Sequence, residues 1–184
     1  MLATIRTAIA RKKLRRAAGE ISRRRRIHTL ESARTIGLLF DASPERNRRE
    51  VLDFVKNLEK KGKKVSLLGF IEEDKNPGEH PFPFFTSKEL NWDNSPKSDK
   101  AAEFSRQNFD LLLSFNPSER IALAWPALQS PAGMKIGFVT SLPNDFDMLL
   151  EIPADKGLRF FVEQLDLYLD KIVLTSAHEP AKTP

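Results

Sequence analysis

Five short apolar runs, separated by stretches with helical patterning, do most to limit what this chain can become. They are "TIGLLFDA" (35–42), "KVSLLGFI" (64–71), "DLLLSFNP" (110–117), "MKIGFVT" (134–140) and "FDMLLEIP" (146–153). Each is apolar at successive positions instead of alternating, so neither face of the strand is built for water. Such strands belong in a parallel sheet covered by helices on both sides. The first two flank "SPERNRREVLDFVKNLEKKG", in which Val51, Phe54, Val55 and Leu58 recur at helical spacing. Ser43 is placed to cap this helix, Pro44 fits its first turn, and Gly62 suits its end. Strand, helix, strand is a βαβ unit, expected to be right-handed.

Further helices are expected at 98–109, at 118–129 with an interruption at Pro126, and at 156–174. Phe160, Phe161, Leu165, Leu167, Tyr168 and Ile172 supply the apolar side of the last one. The expected fold is therefore α/β and three-layered. It has a mainly parallel, five-stranded, Rossmann-like sheet with helices on both faces, plus a basic N-terminal arm, helical or extended. The arm spans 1–34, a single α/β domain spans 35–175, and 176–184 form a flexible tail. Residues 72–97 show no long periodicity, and structureless loops of that length in compact domains are often functional.

Charge divides the chain at the same place. Residues 1–34 hold eleven basic residues against Glu20 and Glu31, a net +9, while the remaining 150 hold nineteen basic and twenty-three acidic residues, a net −4. A basic arm on an acidic body points to a polyanion met through the arm. Arginine dominates it, since only Lys12 and Lys13 are lysines, and arginine offers forked phosphate contacts and stacking. The candidate nucleic-acid-binding residues are Arg6, Arg11, Lys12, Lys13, Arg15, Arg16, Arg23, Arg24, Arg25 and Arg26. Three partners fit: structured RNA such as ribosomal RNA, an anionic membrane surface, or a targeting or solvated role. On a helical wheel Leu2, Ile5 and Ile9 cluster, but Leu14 and Ile21 fall away from them and basic residues occur on all sides. That is a poor membrane-surface helix and a good match to phosphates around a folded RNA.

Specific catalytic signatures are missing. Without cysteine there are no disulfides, thiolate metal sites or cysteine nucleophiles. His28, His80 and His178 lie in unrelated segments, so no metal centre is expected. "FDASPERN", after the first strand, contains no glycine and is no phosphate loop. No cofactor is expected. No run approaches the ~18 apolar residues of a membrane span, and a cytoplasmic location is expected. Ligands of open parallel sheets bind beyond the carboxyl ends of the strands. Asp41, Asn116 and Arg120 fall there and define a possible pocket for a nucleotide or sugar nucleotide. In the long loop, Phe82, Phe84, Phe85 and Trp92 either roof the sheet or form an exposed aromatic surface that docks a protein or stacks on bases.

The segments "FFTSKELNW" (84–92), "FDLLLSF" (109–115), "IALAWPALQSPAGMKIGFV" (121–139), "FDMLLEI" (146–152) and "FVEQLDLYLDKI" (161–172) resemble a small uncharacterised family from Bacteroidetes-type bacteria, a domain of unknown function. The resemblance implies one α/β domain in a bacterial cytoplasm and carries no activity. "DLLLSF" followed by an alanine-rich helix and "KIGF" is also similar to part of the amino-terminal half of heptosyltransferase-type glycosyltransferases. Those enzymes use two such domains, and this chain has room for one. The function expected is a non-enzymatic, ribosome-associated RNA-binding protein. The alternatives are a small nucleotide- or sugar-nucleotide-binding module or enzyme, or a peripheral membrane scaffold.

Overall fold

A computed structural model describes residues 2–73, 80–153 and 155–177. Of the expected tail 176–184, Ser176 and Ala177 are instead helical, and 178–184, with His178, lie outside the described residues, as do 74–79 of the long loop and the side chain of Ile172. In chain order the elements are α1 (Leu2–Glu20), β1 (Thr35–Asp41), α2 (Glu45–Lys60), β2 (Lys64–Ile71), β3 (Phe84–Thr86), a 3-10 turn (Ser87–Glu89), α3 (Asp99–Arg106), β4 (Leu111–Phe115), α4 (Ile121–Gln129), β5 (Met134–Phe138), β6 (Met148–Leu150) and α5 (Gly157–Ala177).

The sheet has six strands, not five, in the order β3-β2-β1-β4-β5-β6. Every pairing is parallel. The additional strand, β3, lies inside the segment expected to be structureless and pairs only with Gly69–Ile71 of β2. The expected three layers are present. On one face Ile36, Leu38 and Phe40 of β1 pack with Val51 and Val55 of α2 and Phe161 and Leu165 of α5. On the other, Leu39 and Leu112 pack with Phe104 of α3 and Leu123 and Ala127 of α4. Alternate residues of β1 thus serve opposite faces, as the pleat requires.

Two helices depart from expectation: α2 in its cap, and α4 in starting at Ile121 instead of 118 and running through Pro126 without the expected interruption. Pro44 itself occupies the N-cap of α2, and the Ser43 hydroxyl accepts the Glu72 backbone N–H. At α4 the N-cap is Arg120, while the Asn116 amide closes the turn by accepting from Arg120 N and donating to Arg120 O. Gly62, with φ +78°, ends α2 as expected; Lys63 N–H reaches back to Leu58 O in the manner of a Schellman turn.

α4 explains where the arm goes. "IALAWPALQ" has no charged residue, and a helix apolar all round needs cover on both sides. The sheet covers one side and α1 packs against the helix from outside. Ala10 and Leu14, four apart and fully buried, lie on the packed side of α1. Ile5 faces the other way and is 48% exposed.

Candidate nucleic-acid interface and strand-end cleft

Docking sorts nine of the eleven basic residues of the arm into two groups, leaving aside Arg6 and Arg34. The first is spent on the body. Arg23 sits with a side chain only 3% exposed. Its Nε donates to Asp145 Oδ2 at 2.8 Å, Nη1 to the carbonyls of Ala132 and Gly133 at 3.0 Å, and Nη2 to Asp145 O at 2.9 Å and Asp147 Oδ2 at 2.6 Å. A guanidinium has five N–H donors, and all five are used, so none remains for a phosphate. Burial pulls the Arg23 pKa down, but the hydrogen bonds from Asp145 and Asp147 outweigh it and hold the group above its ordinary value. Asp145 also receives Lys135, a fully buried lysine whose three donors go to Leu128 O and both Asp145 oxygens. Burial, opposed by Asp145, pushes Lys135 down to about 8. Arg25 pairs with Asp147 at 2.5 Å. Higher on the helix, Lys13 holds Asp93 at 2.5 Å. Hydrogen bonds from Lys13 and then Ser95 lower that carboxyl to about 2. Arg11 donates to the Ser141 hydroxyl at 3.2 Å.

The second group faces solvent. Lys12, Arg15, Arg16, Arg24 and Arg26 are all exposed. Arg16 pairs only with Glu20, one turn along the same helix; the other four have no acidic partner among the described residues. Lys12, Arg15 and Arg16 share the face of α1 turned away from α4, and Arg24 and Arg26 are exposed on the segment that follows. Arg26 is fixed there by its backbone N–H to Gly133 O, at 2.9 Å.

The strand-end residues Asp41, Asn116 and Arg120 are brought together. The strand order reverses between β1 and β4, which makes the crevice beyond their carboxyl ends the topological switch point. Asp41 is fully buried at the end of β1 and accepts Arg120 Nε at 3.1 Å. Arg120 Nη1 meets Glu72 at 2.9 Å. Burial opposes the charge of Arg120, but Asp41 and Glu72 more than compensate and raise its pKa. A cleft of 410 Å³ opens here, walled by Arg6 from α1, by Glu72, Ser87 and Asn94, and by Ser118 to Ala122. Glu119 takes a left-handed backbone, φ +49°, and its carboxylate accepts the Ser141 N–H and hydroxyl. The Ser141 N–H bond is the main reason its pKa falls below the ordinary value.

The aromatic loop divides as well. Phe82 and Phe85 are buried and Phe84 half-buried, with Phe82 edge-on to Phe40 at 5.0 Å and Phe85 against Phe70 at 5.2 Å. These three roof the sheet. Trp92 stands apart, 61% exposed, beside the Asp93 that anchors Lys13.

A sequence model for a family of unknown function, DUF6913, matches residues 6–172. The chain belongs to the DUF6913 family. No curated protein and no solved structure matches it, so no similarity to glycosyltransferases accompanies the shared alternation of strands and helices. The DUF6913 match starts at Arg6, inside α1, so the family unit includes the basic helix and the segment joining it to β1 as well as the sheet. No helix among the described residues is long and apolar enough to cross a membrane.

Sequence reasoning missed the acids that hold the docked cations in this DUF6913 protein, Asp93, Asp145 and Asp147, and the buried Lys135 that shares Asp145. Two signals were available. Lys135 is a lone charge inside the apolar strand "MKIGF", and Asp145 and Asp147 alternate in "NDFDM". A charge in a buried strand requires a buried counter-charge.

Proposed function

We propose that this DUF6913 protein binds structured RNA within a ribosomal particle in the cytoplasm, through Lys12, Arg15, Arg16, Arg24 and Arg26. The observation that carries the reading is the sorting itself. The body's acids engage Lys13, Arg23 and Arg25, yet five cations remain exposed on an anchored helix and the strap that follows it. A polyphosphate is the partner for which such a surface is suited, because each neutralised phosphate releases condensed counterions. Trp92 supplies an exposed ring for an unpaired base or a neighbouring protein. A membrane surface fits less well, since Ile5 is the one large exposed apolar residue among the described side chains of α1.

Five phosphates contacted predict that affinity for a ribosomal RNA fragment falls by roughly two to three decades between 50 and 200 mM salt. Replacing the five residues by Gln should weaken binding to all structured RNAs alike, because phosphate contacts carry little sequence information. Sedimentation on low-salt and high-salt sucrose gradients should show salt-sensitive travel with ribosomal particles. Salt-independent RNA binding, or co-sedimentation with anionic vesicles and not with RNA, would overturn the reading.

A further inference from the structure

The cleft in front of Arg120, between α1, the end of β2 and the start of α4, is not needed for RNA contact by the exposed face of α1, and its geometry points to a second site. We propose that it binds a phosphate monoester the size of a nucleoside monophosphate, held between Arg6 and Arg120.

The strongest element is the way Arg120 is held. Its Nε is fixed by Asp41, a carboxylate with no exposure at the end of a central strand, and the Asn116 amide locks its backbone. The guanidinium is therefore aimed before any ligand arrives. Its outer edge is met by Glu72, whose side chain is 56% exposed. A carboxylate that stays half in water gains little from its pair. It stands on Arg120 where a stronger, doubly charged oxyanion would sit.

Arg6 contributes independently. It enters from α1, lines the same cleft, and its Nε is buried with no hydrogen-bond partner. A buried donor left unpaired is costly unless a partner arrives. The first turn of α4 adds two more donors. Leu123 and Ala124 N–H both go to Arg120 O, but the N–H groups of Ile121 and Ala122, which also line the cleft, have no acceptor among the described residues. They lie at the positive end of the helix dipole. The Ser118 hydroxyl lies on the rim.

Two arginines, a helix start and a serine line one cleft from separate elements, and the Glu119 carboxylate that shares it is already engaged by Ser141; such a donor set suits a tetrahedral anion. The volume exceeds that of phosphate alone, and Leu90 and Ile121 offer apolar wall to the group it esterifies. The α2 side of the switch point is closed to phosphate. Its loop has no glycine, Pro44 takes the N-cap, and Arg48 Nη1 fills the turn by donating to Ala42 O and Ser43 O. The ligand therefore belongs to the α4 side. Its source is either a free nucleotide or the 5′-phosphorylated end of an RNA, which share this chemistry.

The test compares the full-length protein with Arg6→Gln and Glu72→Gln. Neither residue is buried in a packed core, and both changes leave the Asp41–Arg120 pair intact. AMP, GMP and inorganic phosphate are titrated by calorimetry and by thermal shift. A short RNA is then compared with and without its 5′-phosphate. The expected result is saturable binding of a nucleotide, or a preference for 5′-phosphorylated RNA, that weakens roughly tenfold or more in Arg6→Gln and tightens several-fold in Glu72→Gln. Nucleotide binding identifies the free ligand as the source, and 5′-phosphate preference without nucleotide binding identifies the RNA end. No saturable binding of any probe, or binding equal in all three proteins, overturns the proposal. Replacing the five exposed arm cations should leave nucleotide binding unchanged, so this site and the RNA-binding face fail or stand separately.

Discussion

Replacing Arg23 by Ala is the most direct test of whether the basic arm is part of the folded body. The side chain makes five hydrogen bonds, two of them to carboxylates, from a site 3% exposed. Removing one partner of a buried ion pair costs about 3–5 kcal/mol, because the other charge is left behind without water. Here Lys135 still neutralises Asp145, and Arg25 still meets Asp147. The expected loss therefore falls at the lower end, about 3 kcal/mol, with the stranded carbonyls of Ala132 and Gly133 contributing part of it. For a chain of this size that corresponds to a melting temperature lower by roughly 6–12 °C. Arg23→Lys should recover only part of the loss, since three donors cannot serve five acceptors. Arg24→Ala, one residue away and exposed, should stay within about 0.5 kcal/mol of wild type. Urea unfolding of the four proteins, followed by circular dichroism, measures all of this. A loss below 1 kcal/mol for Arg23→Ala, or equal losses at 23 and 24, would mean that the arm does not dock as described.

Leu14→Ala, at a fully buried position on the docked side of α1, should cost about 2–4 kcal/mol and open α1 to limited proteolysis while leaving the sheet protected. Asp93 is held at about 2, below its ordinary 3.8, by Lys13 and Ser95. Its contribution to stability is thus complete above pH 4 and lost as the pH falls toward 2; with Lys13 57% exposed, solvent screening limits it to about 1 kcal/mol. Acid titration of wild type against Asp93→Asn should show that difference vanish at the low end. Deleting residues 1–22 should uncover the outer side of α4 and produce a protein that binds hydrophobic dye and self-associates. A truncated protein that stays monomeric with an unchanged melting temperature would show that α4 needs no cover.

The parallel sheet was legible because buried parallel strands write themselves as uninterrupted apolar runs, and β1, β2, β4, β5 and β6 all fall within theirs. β3 was not, because its three residues sit among prolines and aromatic rings and borrow their register from Gly69–Ile71. A strand that short has no period of its own. Of the strand-end residues Asp41, Asn116 and Arg120, placed by rule alone, Arg120 lines the cleft, and the other two hold it from behind. Arg6 could not be placed by rule, since its position depends on α1 docking beside α4. That docking had a signal in the absence of any polar residue on one side of "IALAWPAL". The helical wheel of the arm carried no such signal, because small residues such as Ala10 have little hydrophobic weight yet permit close helix approach.

The opposite charges of arm and body, +9 and −4, are two halves of one device. Asp93, Asp145 and Asp147 belong to the body's excess of acid, and they hold Lys13, Arg23 and Arg25 of the arm. The body's acidity is therefore partly a docking surface for its own amino terminus. A free arginine-rich tail loses conformational entropy when it orders on RNA, and that loss subtracts from its affinity. A docked helix has met that cost during folding. The cations left exposed on it are fewer than the sequence offers, but their spacing is set in advance by Leu14, Arg23 and the apolar side of α4. Fewer phosphate contacts with a shallower salt dependence and a fixed geometry favour a partner of defined shape, such as folded RNA, over an arbitrary polyanion.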